Sequence, residues 1–314
     1  MISKNSIIEI QTLKNFYKYS VFGINIDSEL ECPELAISKN TAEVFFRFGN
    51  VPETLGINSN KGVCFEAIPD ELILRVKNIA RYFIKGGREI IIEPEMKVNN
   101  SSIRLFLLGS AMGALLHQRG ILPIHGNCIL YKNEGILFAG ISGAGKSTLA
   151  AMMVSKGFEP VTDDITAIGF ENNEPVILPG VPHLKLWQDS IHKMNLKTEG
   201  LKKVRDEIEK YYIPVTSKFV KTNIPLKKIY IININNQEGI ALKTVSGIEK
   251  FTVLKNHTYR YNYVKGMNLQ KHHFELVSKL ASKVEIKRLL RGRKGFDANE
   301  LAEAVLTDLK KDGI

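Results

Sequence analysis

Cysteine is scarce. The 314 residues hold only Cys32, Cys64 and Cys128, widely spaced and with no C-x-x-C pair. That pattern carries no zinc or redox motif and leaves three buried or half-buried thiols as the expectation. Tryptophan occurs once, at Trp187, where packing is a simpler role than stacking on a base. No apolar run reaches the ~18 residues of a membrane span. The longest, Ile103 to Leu116, is interrupted by Gly109, Ser110 and Gly113. The N-terminus carries Lys4 but no apolar signal core with a small-residue cleavage site, so a cytoplasmic protein without a membrane partner is expected. Internal repeats, low-complexity linkers and a G-x-G-x-x-G dinucleotide fingerprint are all missing.

Acidic residues are outnumbered. Lys and Arg total 43 against 33 Asp and Glu, a net charge of +10 and a pI near 9.3. The excess follows residue 120, notably between Lys197 and Lys228. Such a balance suits an anionic ligand and an acidic partner. No basic helix is interleaved with base-stacking aromatics, so nucleic acid is not expected as a partner. Hydrophobic content of 44% and charged content of 24% are those of a folded globular chain.

What is present is a complete phosphate-binding loop. Gly140-Ile141-Ser142-Gly143-Ala144-Gly145-Lys146-Ser147 fits G-x-x-x-x-G-K-[ST] at every fixed position. The apolar run 135–139 reads as a buried strand before it, and Thr148 to Val154 as a helix after it. Glycines let successive backbone N–H groups point inward, and the helix N-terminus adds positive potential. The nucleotide-binding set is therefore Gly140, Ser142, Gly143, Ala144, Gly145, Lys146, Ser147 and Thr148. Lys146 is expected on the β- and γ-phosphates and the Ser147 hydroxyl on Mg²⁺, with ATP as the natural nucleotide. The loop alone does not choose among ATPase, GTPase, transporter motor and kinase.

Residues 1–98 read as short strands forming a β-rich, antiparallel, meander-like domain, and residues 99–314 as an α/β domain. Asn99 to Ser102 cap a helix with a stripe through Leu105, Leu108, Met112, Leu115 and Leu116. Lys197 to Tyr211 reads as a charged helix. Lys228 to Ile234 and Gly239 to Val245 read as paired strands. Phe274 to Val284 and Ala298 to Lys310 read as helices.

Asp163-Asp164 follows a short apolar strand soon after the P-loop helix. Adjacent acids there suit two tasks, holding Mg²⁺ and accepting a proton from an attacking hydroxyl. His125, in Leu122-Pro123-Ile124-His125-Gly126, is expected beside the phosphate strand, where it can touch and orient Asp163.

These three elements together resemble the catalytic domain of HPr serine kinase/phosphorylase and its relatives, over residues 121–170. The resemblance implies a phosphoenolpyruvate carboxykinase-like P-loop kinase fold. It implies Asp163 as general base toward a serine hydroxyl, supported by His125, with Lys146 on the transferring phosphate and Ser147 and Asp164 as metal ligands. The second HPr-kinase signature, an acidic residue before an I-R-G-x-G-I-type stretch, is absent. In its region stands Leu178-Pro179-Gly180-Val181-Pro182-His183-Leu184-Lys185-Leu186-Trp187. That stretch, with Tyr19 to Ile24 and Cys32-Pro33-Glu34-Leu35, resembles the HPr-kinase-like proteins encoded with ribosomal peptides, including the lasso-peptide kinases. That likeness implies a peptide partner with an acceptor serine at its C-terminus. Kinases of small molecules or of other proteins, and a nucleotide sensor without catalysis, remain alternatives. An ABC-type motor is disfavoured, since no L-S-G-G-Q-like signature or distant Asp-Glu strand end is found. Arg288, Arg291 and Arg293 stand as either solvated residues at a helix end or a nucleotide clamp, with Tyr259-Arg260-Tyr261 as a weaker candidate. The oligomeric state is not encoded in any motif.

Overall fold

Val44 to Phe48 begins by burying every second side chain, as a strand with one face on a core must. The same logic runs through the first part of the chain. A computed structural model describes residues 16–181, 183–193, 197–205, 208–214, 219–236, 238–293 and 297–311. Among them the first strands form a nine-stranded sheet, in the order Ala36–Ile37, Tyr17–Val21, Ile24–Ser28, Val44–Phe48, Glu89–Pro94, Ala80–Lys85, Glu71–Val76, Phe65–Ile68 and Asn60–Lys61. The last five form the expected meander. Val44–Phe48 departs from it, running parallel to both neighbours. Alternation specifies which face is buried but not the direction of pairing, so this was invisible in the sequence.

Asn99 caps the following helix by accepting the Ser102 N–H at 2.8 Å. The helix runs Asn100–Phe106 and resumes over Met112–Gln118, with a π-turn, Leu107–Ala111, between. Of the expected stripe, Met112, Leu115 and Leu116 lie in the first sheet's core beside Ile103 and Leu107, but Leu105 is not part of that core and lines a small cavity at Asp163; the Tyr82 hydroxyl donates to Ile103 O at 2.8 Å. Ile165, Ala167, Val176 and Leu178 join the same core, so the two halves of the chain share buried apolar surface. Of the cysteines, Cys32 and Cys128 are buried, but Cys64 is exposed, against expectation.

The second sheet is built around two long strands that change partners along their length. Leu122–Tyr131 pairs on one edge with Ile165–Glu171 and then Glu159–Thr162, and on the other with the P-loop strand Glu134–Gly140. Ile224–Asn235 pairs at its start with Glu174–Leu178 and then runs parallel to both the P-loop strand and Glu285–Gly292. Glu285–Gly292 also separates Ile224–Asn235 from Ile240–Val245, which were expected to pair directly. The helices Ile248–Asn256, Tyr261–Gly266 and Gln270–Lys283 carry the chain back to insert that strand, a long-range choice no local pattern records.

The segment from Lys197 also departs from expectation. Its described residues include the strands Lys203–Arg205 and Ile208–Pro214, which form a small sheet with His183–Trp187. Residues 206–207 lie outside the described residues, as does Pro182 of the Pro-Gly-x-Pro stretch. Charged residues favour helix in isolation. Here Leu184 and Leu186 face Ile213 and Tyr211 across the pair, and burial of these side chains with Ala151 of the P-loop helix overrides propensity. No helix among the described residues is long and apolar enough to cross a membrane.

The P-loop helix Lys146–Ser155 and the last helix Ala298–Lys311 pack together over Phe138, Tyr230 and Leu289. Asp308 fastens that last helix. Its carboxylate accepts from Lys287 at 2.6 Å, Tyr230 at 2.7 Å and the fully buried Lys228 at 3.2 Å. Burial alone would raise the Asp308 pKa, but these donors outweigh it and hold it below the usual carboxylate range. Removing the acid leaves Lys228 and Lys287 with Glu285, at 3.0 and 3.2 Å, but strips three charge-assisted hydrogen bonds from the end of the helix. Asp308→Ala should therefore lower stability by ~1.5–3 kcal/mol in chemical denaturation. The wild-type contribution is present above the ordinary Asp pKa and is lost as pH falls through the depressed folded value, so the gap between the proteins should narrow in acid.

Gly126 lets two backbones meet. A Cβ at this position would stand 2.6 Å from Phe138 O on the P-loop strand. Gly126→Ala should cost about 1–3 kcal/mol in the same assay, the range of an overpacked core, whereas alanine in place of the open Ser142 should cost almost nothing.

Candidate active site

The P-loop strand ends at the edge where Ile224–Asn235 also ends, the side of an open α/β sheet on which ligands bind. Gly143 and Gly145 take left-handed φ values of 79° and 105°, which turn the chain back toward the helix. A Cβ on Gly140 would meet Ile232 O at 2.8 Å. Ala144 is buried, while Ile141, Ser142 and Gly143 are open to solvent. The buried Lys146 side chain arches across the loop, donating to Gly140 O at 2.9 Å and Ile141 O at 3.1 Å. Burial lowers its pKa, with Asp164 opposing. Ser147 is half-buried at the first turn of the helix. Thr148 turns away, its hydroxyl paired with that of Ser190 at 2.8 Å.

Arg291 supports the loop from behind. It lies on a strand, not at a solvated helix end, and donates to Ala144 O at 2.8 Å and Gly143 O at 3.4 Å. Arg288 is held by Glu249 at 2.6 Å and Asn233 at 3.1 Å, and Arg293 is exposed. The guanidinium of Arg291 thus faces loop carbonyls, not the open face of the cradle. Tyr259 fills the space beside Gly113, where a Cβ would touch its ring at 2.9 Å, and Arg260 donates to the Ser110 hydroxyl.

Asp163 and Asp164 follow the strand Glu159–Thr162, with Asp164 in the left-handed region at φ 67°. This turn sends the two carboxylates to different partners. One Asp163 oxygen accepts from the Asn127 amide, and the other accepts from the Lys185 backbone N–H at 2.8 Å. His125 was expected to touch Asp163, but it reaches Asp164 instead. Its Nδ1–H donates to Asp164 O at 3.0 Å and stands 3.5 Å from a carboxylate oxygen. The register explains the difference, since His125 lies opposite Ile165 while Asn127, two residues on and on the same strand face, reaches Asp163.

The two acids are driven apart electrostatically. Burial raises the Asp163 pKa to about 6, with Lys185 opposing and Asp164 adding to the rise. Burial acts on Asp164 as well, but Lys185, His125, Lys210 and Lys146 outweigh it and hold that carboxyl below its usual range. Lys185 Nζ is 3.9 Å from Asp164. Burial, then Lys146 and Lys210, lower the His125 pKa against the pull of Asp164, which favours the neutral ring. One carboxylate poised near neutrality beside one held ionised is the arrangement that separates a proton acceptor from a permanent charge.

Asn127, Lys185 and Lys210 were not singled out in the sequence, although a signal exists for two of them. Asn127 is a polar residue, fully buried, in a strand whose other polar member is His125, and Lys185 alternates with Leu184 and Leu186. A small cavity of about 20 Å³ opens beside Asp163 and Asp164, lined also by Phe22, Arg104, Lys185 and Tyr212. The oxygen donors in reach of the loop, the Ser147 hydroxyl and the ionised Asp164 carboxylate, are of the hard type that Mg²⁺ takes, so the residues fit such an ion.

No family model matches the chain. Over 117 residues it is 32% identical to a probable GTP-binding protein EngB of Mycoplasmopsis synoviae (strain 53), covering 35% of this chain and 63% of that protein. The chain therefore spans less than two thirds of that curated relative's length. Among solved structures, the HPr(Ser) kinase/phosphatase from Coxiella burnetii is similar over 60% of this chain and 97% of that one, at 12% identity and a TM-score of 0.32.

Proposed function

We propose that this chain is a P-loop kinase that transfers the γ-phosphoryl group of ATP to a serine hydroxyl of a peptide. The observation that carries the reading is the turn after the P-loop helix that gives two adjacent carboxylates different partners, Asp163 the Asn127 amide and the Lys185 N–H, Asp164 the His125 ring and the Lys185 ammonium. A nucleotide sensor needs no such division. The finer reading, the C-terminal serine of a ribosomal precursor peptide of the lasso type, rests on the sequence resemblance described above.

In this reading the loop N–H groups and the helix N-terminus hold the polyphosphate. Lys146 exchanges the Gly140 and Ile141 carbonyls for phosphate oxygens. Ser147 and Asp164 would hold Mg²⁺, which when bound neutralises phosphate charge. Asp163, held by Asn127 and the Lys185 N–H, keeps lone pairs to receive the proton of the acceptor hydroxyl. The acceptor oxygen forms a bond to the γ-phosphorus as the bridging P–O bond breaks, and that electron pair leaves with ADP. His125 acts on Asp164 as a positioning residue. The stretch similar to a probable GTP-binding protein makes GTP the rival nucleotide, and parallel titration with ATP and GTP decides between them.

Lys146→Ala should abolish nucleotide turnover. Asp163→Asn should bind nucleotide as the wild type does in calorimetry and lose about 10²–10⁴-fold in phosphate incorporation into serine peptides. Transfer by the Asp163→Asn protein at near wild-type rate would remove the general-base assignment.

A further inference from the structure

Phe22 occupies a backbone conformation that bulky residues rarely adopt. It has φ 54° in the turn between Tyr17–Val21 and Ile24–Ser28, next to Gly23 at φ 70°. Asn or Gly is the ordinary choice at such positions. Surrounding contacts hold it there. The Phe22 N–H donates to Pro179 O at 2.8 Å, and a Cβ on Gly180 would stand 3.2 Å from the ring. The residue is a partition, lining the small cavity at Asp163 and also a groove of about 630 Å³ between the edge of the first sheet and the segments at Pro179-Gly180 and Phe219 to Asn223.

That groove is built from Val21, Leu35, Ile37 and Pro179, and Ile37 is 85% exposed. Along it runs Ala36–Ile37, at the end of the nine-strand order, with no further strand beyond it among the described residues. Such an edge offers backbone hydrogen bonds to an added strand, and apolar pockets beside it take alternate side chains. The charged lining residues are Lys39 and Lys221, and no lining residue is acidic. The surface therefore favours an extended chain that is apolar on one face and acidic on the other.

We infer that the groove holds an acidic, extended segment of the acceptor peptide, which passes Phe22 to bring its hydroxyl to Asp163. The inference rests on the kinase reading for its endpoint, and on the groove's own shape and charge for the rest.

Fluorescein-labelled peptides in which Leu and Val alternate with Glu or with Lys, all ending in Ser, test it by fluorescence anisotropy without nucleotide and by phosphate incorporation with ATP. The Glu peptide should bind the wild type roughly tenfold more tightly than the Lys peptide. The combined substitutions Lys39→Glu and Lys221→Glu, both at exposed positions, should erase that preference and leave nucleotide affinity unchanged. Equal binding of the two peptides to the wild type, or an undiminished preference in the double variant, overturns the groove even if phosphate transfer continues. A charge preference that the double variant erases, with no incorporation into any peptide, upholds the groove and removes the kinase reading.

Discussion

Two hydrogen bonds to Asp163 set the geometry on which the rest of the site depends. One comes from the Asn127 side chain on the strand beside the P-loop, the other from the Lys185 backbone on the small sheet. They join pieces of chain far apart in sequence and fix a carboxylate that burial alone would leave costly to ionise. The turn that places it depends in turn on Asp164 adopting a positive φ, and on Gly126 allowing the histidine strand to lie against the P-loop strand. Moving any of these shifts the carboxylate relative to the loop.

Charge around this turn is asymmetric by construction. Lys146, Lys185 and Lys210 all lower the Asp164 pKa, while at Asp163 burial outweighs Lys185 and Lys210. Burial chiefly lowers the His125 and His257 pKa values, with Lys146 and Lys210 adding to it at His125, and Lys146, His125 and Arg288 at His257, which falls to about 4. A polyphosphate entering the cradle would meet this excess of cations, which accounts locally for part of the chain's net charge of +10. The positive charge near the Asp163–Asp164 turn comes largely from the small sheet, Lys185 and Lys210, and not from the P-loop alone.

Support for the loop is separate from its chemistry. Arg291 spends its donors on the carbonyls of Gly143 and Ala144, and Asp308 pins the last helix beside the P-loop helix. Both act through rigidity, since neither faces the open side of the cradle. An arginine in this region suggests a nucleotide clamp when only the chain is read. Its strand position and carbonyl partners give it a bracing role.

The P-loop, its flanking strand and helix, the terminal helices and the placement of the strand carrying His125 beside the phosphate strand were legible because each rests on a local pattern with a local physical cause. Glycine spacing, apolar periodicity and capping chemistry act over a few residues. The direction of Val44–Phe48, the insertion of Glu285–Gly292 between its neighbours and the strands within the charged 197–214 segment were not legible, because each depends on which distant surface is buried. The same division applies within the site. The chain by itself determined that a phosphate cradle and two adjacent carboxylates exist. Only the tertiary structure decided that His125 serves Asp164 while Asn127 and Lys185 hold Asp163, because strand register and the left-handed turn at 164 set those distances, and neither is written in residue type.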